Sequence, residues 1–169
     1  MSEQPFYTDK AHQKFSHTRQ ALWDQTAVDN ITRKDASRYY HRRLEQVFQF
    51  LIPVGSRVLE VGCGQGDLLA SVQPIYGVGI DFSAQMVALA ASRHPGLSFL
   101  NLDAHTIPQF DAPFDFIILS DLLNDVWDVQ AIFNQLKPLL HPQSRIILNN
   151  YSRLWEIPLK IAQRLRLAK

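Results

Sequence analysis

Four polar groups along this chain each follow a short apolar run, and their types and spacing suit the holding of a cofactor. Glu60 precedes three glycines spaced two apart, Gly62, Gly64 and Gly66, in the stretch Arg57-Val-Leu-Glu-Val-Gly-Cys-Gly-Gln-Gly-Asp67. Glycines that follow a strand and open a helix let the backbone turn tightly and come close to a bound molecule. Asp81 ends a second apolar segment, Tyr76-Gly-Val-Gly-Ile80, fifteen residues beyond Gly66. A carboxylate at the tip of a second strand, about 20 residues after a glycine loop, offers two oxygens to the two hydroxyls of a ribose. Asp103-Ala104 follows Leu97-Ser-Phe-Leu-Asn101, and Asp121-Leu-Leu-Asn124 follows Phe114-Asp-Phe-Ile-Ile-Leu-Ser120. Polar residues thus close four successive strands, at the carboxyl edge where open parallel sheets bind ligands.

The elements that must position these groups alternate. Strands are predicted at 57–61, 76–80, 97–101, 115–120 and 144–150, and helices near 66–73, 84–93 and 127–139, the second capped by Ser83. Pro95-Gly96 punctuates the approach to the third strand, and His141-Pro-Gln-Ser introduces the fifth. Alternation of this kind implies right-handed crossovers and a parallel sheet covered by helices on both faces. Ahead of it, Tyr40, Leu44, Val47, Phe48 and Leu51 recur at helical spacing, and Pro53-Val-Gly55 ends that helix. Residues 1 to about 30 are polar with scattered aromatics and read as an arm or short helix lying on the domain. The expected division is an N-terminal arm over 1–34 and a cofactor-binding domain over 35–169.

Glu60-x-Gly62-x-Gly64-x-Gly66 resembles motif I of the class I S-adenosylmethionine-dependent methyltransferases. A dinucleotide-binding loop reads G-x-G-x-x-G, and here the third glycine arrives one residue early with Asp67 in its place. The resemblance covers about residues 35 to 150 and implies an α/β, Rossmann-like class I fold using S-adenosyl-L-methionine. It implies that the amino-acid end of the cofactor sits at the Gly62–Gly66 loop, its carboxylate favoured by backbone N–H groups and the following helix start, with Glu60 facing the ammonium through water. Asp81 then binds the ribose, Phe82 packs on the adenine, and Asp103 with Ala104 reads the adenine edge. Ser120 and Asp121 lie nearest the methyl group and the acceptor.

Methyl transfer from a sulfonium releases a neutral thioether, so alignment and water exclusion matter more than stabilising a new anion. The catalytic candidates are therefore few: Asp121, and His105 as a base for a hydroxyl acceptor. His105 also reads as a solvated loop residue, Cys63 as a small core residue, Asp111 and Asp115 as turn residues around Pro113, and Asn124 and Asp125 as caps of the helix near Trp127. No metal site is assigned.

Composition sets outer limits. With 169 residues, 46% apolar, 20% charged and a net charge of +1, the chain supports one core and lacks a bulk field to attract nucleic acid. The lone cysteine rules out an intramolecular disulfide, and no apolar run approaches the about 20 residues that span a bilayer. A cytoplasmic enzyme is expected. Ser120-Asp-Leu-Leu-Asn124 matches neither the Asn/Asp-Pro-Pro-aromatic element of amino-nitrogen DNA methyltransferases nor the Pro-Cys pair of cytosine-C5 enzymes, which leaves a small-molecule, lipid or glycan acceptor. Segments 114–125 and 149–155 resemble bacterial methyltransferase domains that precede a family 2 glycosyltransferase, so such a downstream domain is an expected partner.

A complete class I domain adds two strands after the fifth, whereas Leu154 to Leu167 reads as a basic amphipathic helix. The expectation is a fold truncated after its fifth strand, with that strand's open edge covered by this helix, the arm or a second copy of the chain. A non-catalytic cofactor-binding or partner module is the alternative function.

Overall fold

The computed structural model describes residues 10–30 and 36–150. Two helices, α1 (Lys10–Asn30) and α2 (Ala36–Leu51), precede an alternating series: β1 (Arg57–Val61), α3 (Asp67–Ser71), β2 (Tyr76–Asp81), α4 (Ala84–Arg93), β3 (Ser98–Asn101), β4 (Phe114–Ser120), α5 (Val129–Leu136) and β5 (Leu140–Asn149). The strands form one parallel sheet in the order β3-β2-β1-β4-β5. Chain order runs outward from β1 to β3, then returns to the other side of β1 at β4. That reversal makes a crevice between the carboxyl ends of β1 and β4, where doubly wound sheets bind their ligands.

The strands are apolar on both faces because helices cover both. Leu59, Val61, Ile80, Ile117 and Ile132 belong to one core, while Val58, Leu69, Ile118, Phe48 and Ile52 belong to the other. Side chains alternate across a strand, so Glu60 points to the same face as Val58, toward α2 and α3. Each fully buried Ile or Leu here contributes about 1.5–3 kcal/mol of apolar transfer.

Local signals place most elements. Ser83 Oγ accepts from Met86 N at 3.2 Å and starts α4 as expected. Three assignments from sequence need correction. Helix α5 is capped by Asp128, whose Oδ1 accepts from Ala131 N at 3.0 Å, and neither Asn124 nor Asp125 caps it. It also stops at Leu136, because Pro138 has no N–H to continue the ladder and the chain tightens into a 3₁₀ turn over Lys137–Leu139. Asp115 is no turn residue: it lies inside β4, where Oδ2 accepts from Arg57 N at 2.8 Å and Oδ1 meets His141 Nε2 at 3.1 Å.

Strand β5 starts earlier than its apolar core suggests. A register shift between Phe114 and Phe116 absorbs the Pro142 region, and Ser144 Oγ donates to Phe114 O at 2.6 Å. Among the described residues β5 pairs only with β4, so its outer edge has no strand partner. The Leu154–Leu167 stretch expected to form a basic helix lies outside the described residues, as do residues 1–9 of the expected arm. No described helix is long and apolar enough to cross a membrane.

Candidate functional site

Strand β1 delivers Glu60 one residue before the chain turns. Its carboxyl is buried, held by a hydrogen bond from the Leu69 backbone, and burial pushes it up to about 8. Glu60 Oε2 has no hydrogen-bond partner among the described residues. A buried carboxyl oxygen left unmatched is costly and calls for a donor from outside the chain.

The glycine loop then folds back on β2. Gly62 N and Cys63 N both donate to Ile80 O, at 2.7 and 3.0 Å, Gly64 N donates to Asp81 Oδ2 at 2.8 Å, and Gly66 N donates to Cys63 O at 2.9 Å. Gly64 has φ +51 and open space where a side chain would stand, whereas a Cβ on Gly66 would lie 2.6 Å from Phe99 Cζ. The first two glycines therefore face the cavity, and the third packs the loop against β3. Four of the loop amides, those of Gly62, Cys63, Gly64 and Gly66, donate within the protein, and α3 has 5 residues.

Asp81 ends β2 almost fully buried. Its Oδ1 accepts from Ser83 N at 2.9 Å and its Oδ2 from Gly64, while desolvation raises its pKa above the ordinary value. Each oxygen retains a lone pair for a further donor. Phe82, Asp103, Ala104 and Ser120 line the same cavity as Asp81, together with Gly62 and Gly64. Asp103 Oδ1 meets His105 N at 2.8 Å and His105 Nδ1 at 2.6 Å. On the other side of the ring, Asp128 N donates to His105 Nε2 at 3.3 Å. Nε2 must therefore be the unprotonated nitrogen, and Nδ1 donates to Asp103. Both ring nitrogens of His105 are thus engaged, with Asp103 and with the Asp128 amide.

Asp121 stands at the crevice between β1 and β4, with φ +52, a conformation a non-glycine residue rarely holds. Tyr40 Oη donates to its carboxylate, 2.8 Å from Oδ2 and 3.1 Å from Oδ1, and Asn149 Nδ2 donates to Oδ1 at 3.0 Å. Asp121 lines two cavities, one of about 120 Å³ over β2 and β3 and one of about 560 Å³ between α2 and the glycine loop. Both cavities share Gly62, Gly64, Ser120, Asp121 and Trp23.

Helix α1 roofs the smaller cavity. Arg19 Nη2 pairs with Asp125 Oδ1 at 3.0 Å, Trp23 Nε1 donates to Asp125 Oδ2 at 3.2 Å, Gln20 Nε2 donates to Phe82 O at 3.2 Å, and Ser83 Oγ bonds Asp24 Oδ1. Sequence reading missed Arg19, Trp23, Tyr40 and Asn149. Tyr40 reads in the sequence as one apolar position of an amphipathic helix, Asp125 meets Trp23 across 102 positions, and Asn149 meets Tyr40 across 109 and Asp121 across 28.

The sequence profile described as "Methyltransferase domain" matches residues 52–168. The chain belongs to that family.

This methyltransferase domain is 26% identical over 134 residues to a protein of Mycobacterium tuberculosis named as a probable S-adenosylmethionine-dependent methyltransferase, covering 76% of this chain and 48% of that protein. It is 32% identical over 111 residues to phosphoethanolamine N-methyltransferase 1 of Arabidopsis thaliana, covering 62% of this chain and 23% of that one. The chain thus spans less than half the length of either relative. Its fold superposes on the plantazolicin methyltransferase BpumL, solved with a pentazolic desmethylPZN analogue and SAH, with a TM-score of 0.66 at 18% identity, covering 88% of this chain and 64% of that one. The resemblance to class I methyltransferases and the five-strand parallel sheet with its helices are borne out.

Proposed function

We propose that this methyltransferase domain binds S-adenosyl-L-methionine across the β1–β4 crevice and directs its methyl group to a small-molecule, lipid or glycan acceptor. The observation that carries the reading is the buried Glu60 Oε2 without a partner, at the end of β1 and one strand from the Asp81 carboxylate. An ammonium at Glu60 and a ribose at Asp81 match this donor and acceptor set. Bound there, the cofactor supplies an electrophilic methyl group on a sulfonium.

The chain's own residues then align and shield. Asp81 accepts from the ribose hydroxyls while keeping its backbone bonds to Gly64 and Ser83. Phe82 packs on the adenine, and Asp103, oriented by His105, reads the adenine edge beside Ala104. Glu60 takes the ammonium as its ion-pair partner. Ser120 and Asp121 lie toward the remaining open side, and the Asp121 carboxylate, fixed by Tyr40 and Asn149, takes the proton that a hydroxyl or amine acceptor gives up on methylation. Trp23 and α1 exclude water from the smaller cavity. The phosphoethanolamine methyltransferase among the relatives supports a small-molecule acceptor.

Calorimetric titration with S-adenosylhomocysteine, and separately with a nicotinamide dinucleotide, tests the reading. Stoichiometric binding of the first and none of the second is expected. Dinucleotide binding without S-adenosylhomocysteine binding overturns it.

A further inference from the structure

The outer edge of β5 carries backbone groups that no strand among the described residues pairs with. Asp121 N donates to Asn149 O at 3.1 Å, so Asn149 turns its backbone groups toward β4. Backbone direction alternates along a strand, which points the N–H and C=O of Ile146 and Leu148 out from the sheet. Side chains alternate as well: Ile146 packs with the α5 core and Ile147 with the α2 core. Arg145, Ile147 and Asn149 therefore share the α2 face.

Helix α2 is apolar on the side that borders this edge. Gln49 Nε2 donates to Ser71 O at 3.0 Å and marks the flank of α2 that faces α3, while Phe48 is buried against the sheet. Helical spacing sets Tyr40, Val47 and Leu51 on the opposite flank, and Asn149 Nδ2 donates to Tyr40 Oη at 3.3 Å, which places that flank over β5. Val47 and Leu51 are 49% and 41% exposed there.

The residues along β5 complement themselves. In an antiparallel pair of two β5 strands centred on Ile147, Ile146 of each copy stands opposite Leu148 of the other, and the two exchange both backbone bonds. Arg145 then stands opposite Asn149. Arg145 is exposed and has no ion pair or side-chain hydrogen bond among the described residues, whereas Asn149 Oδ1 is buried without a partner among them. A directly opposed pair of this kind brings Cα atoms to about 4.5 Å, within reach of an arginine side chain. Registers centred on Ile146 or Leu148 also form edge bonds but do not match these two residues.

We propose that two copies of this chain join edge to edge through β5, about a two-fold axis at Ile147, with Arg145 of each copy donating to Asn149 Oδ1 of the other. The exposed Val47 and Leu51 flanks of α2 close over the seam. Asn149 also donates to Asp121 at 3.0 Å, so each copy touches the group that positions the other's Asp121. This assembly is independent of which cofactor the crevice holds.

Light scattering of the full chain across a concentration series is expected to show a monomer–dimer equilibrium, with the amides of Ile146 and Leu148 slow to exchange only where dimer is present. Leu148→Pro removes an outward N–H and spares the β4 ladder, the position at which an edge strand tolerates proline. Arg145→Glu sets a carboxylate beside the other copy's Asp121. Each is expected to weaken the dimer at least about tenfold, with thermal melts to verify folding. Ile147→Cys should give a covalent dimer on oxidation, and Leu148→Cys should not. A strict monomer at every concentration overturns the proposal, as do Ile146 and Leu148 amides that exchange slowly in the monomer, which put another segment of the chain on the edge. A dimer that Arg145→Glu and Leu148→Pro leave unchanged uses another face and overturns it too. Cross-linking through Leu148→Cys in place of Ile147→Cys moves the axis and removes the Arg145–Asn149 pair.

Discussion

The Gly64 amide donates to Asp81 Oδ2 at 2.8 Å, so the carboxylate that ends β2 also pins the loop that follows β1. One side chain thereby fixes the distance between two strand ends, and the glycine loop is held in shape before any ligand arrives. The same carboxylate is the proposed ribose acceptor, which ties loop order to ligand affinity.

Replacing Asp81 therefore has two consequences. Asp81→Ala removes the acceptors of Gly64 N and Ser83 N, each buried donor costing about 1–3 kcal/mol if left unmatched. It is expected to lower the melting temperature and to weaken S-adenosylhomocysteine at least about tenfold. A folded variant with unchanged affinity in calorimetry would remove the ribose assignment.

Glu60 predicts a pH signature. Burial raises its carboxyl from 4.5 to about 8, so the folded chain holds a proton that the unfolded chain releases. The contribution of this group to stability is complete below about pH 4.5 and is lost as pH rises through about 8. Chemical denaturation across this range should show Glu60→Gln flattening the loss. Pairing with an ammonium favours the carboxylate, so S-adenosylhomocysteine binding at neutral pH should release a proton, read as a dependence of the binding enthalpy on buffer ionisation. Glu60→Gln should abolish that dependence. Persistence of proton release in the variant would assign it to another group.

Asp125 fastens α1 over the smaller cavity through Arg19 and Trp23. At about 120 Å³ that cavity lies below the roughly 300 Å³ at which small-molecule sites begin, so a nucleoside enters only as α1 gives way. Asp125→Ala should accelerate both association and dissociation of S-adenosylhomocysteine in stopped-flow measurements, with Trp23 fluorescence as the probe. Rates equal to those of the wild type would show that α1 does not gate entry.

The outer edge of β5 has no strand partner among the described residues, and Leu148 is 48% exposed beside half-buried Ile146 and Ile147. A bare apolar edge invites pairing. Protection of the 146–149 amides in hydrogen exchange is expected, with dimer formation in light scattering across a concentration series if a second copy supplies the cover. A strict monomer whose amides exchange rapidly there would show an open edge.

Much of this protein is local in origin and was legible in the residues alone. The glycines and Glu60 lie within one turn of chain, Ser83 caps the helix that begins beside it, and the apolar runs alternate with helical patterns at short range. Those signals determined the α/β class, the five strands and the carboxyl-edge location of Glu60, Asp81, Asp103 and Asp121. The tertiary structure decided which polar groups are already matched. The loop amides turn inward to Ile80 and Asp81, and His105 is locked between Asp103 and Asp128. Asp125 pairs with α1 instead of capping α5, and Tyr40 reaches Asp121 across 81 positions. Hydrogen-bond satisfaction depends on which segments meet in space, and residue order does not encode that at short range. Only the folded chain therefore shows Glu60 Oε2 buried and unmatched among the described residues.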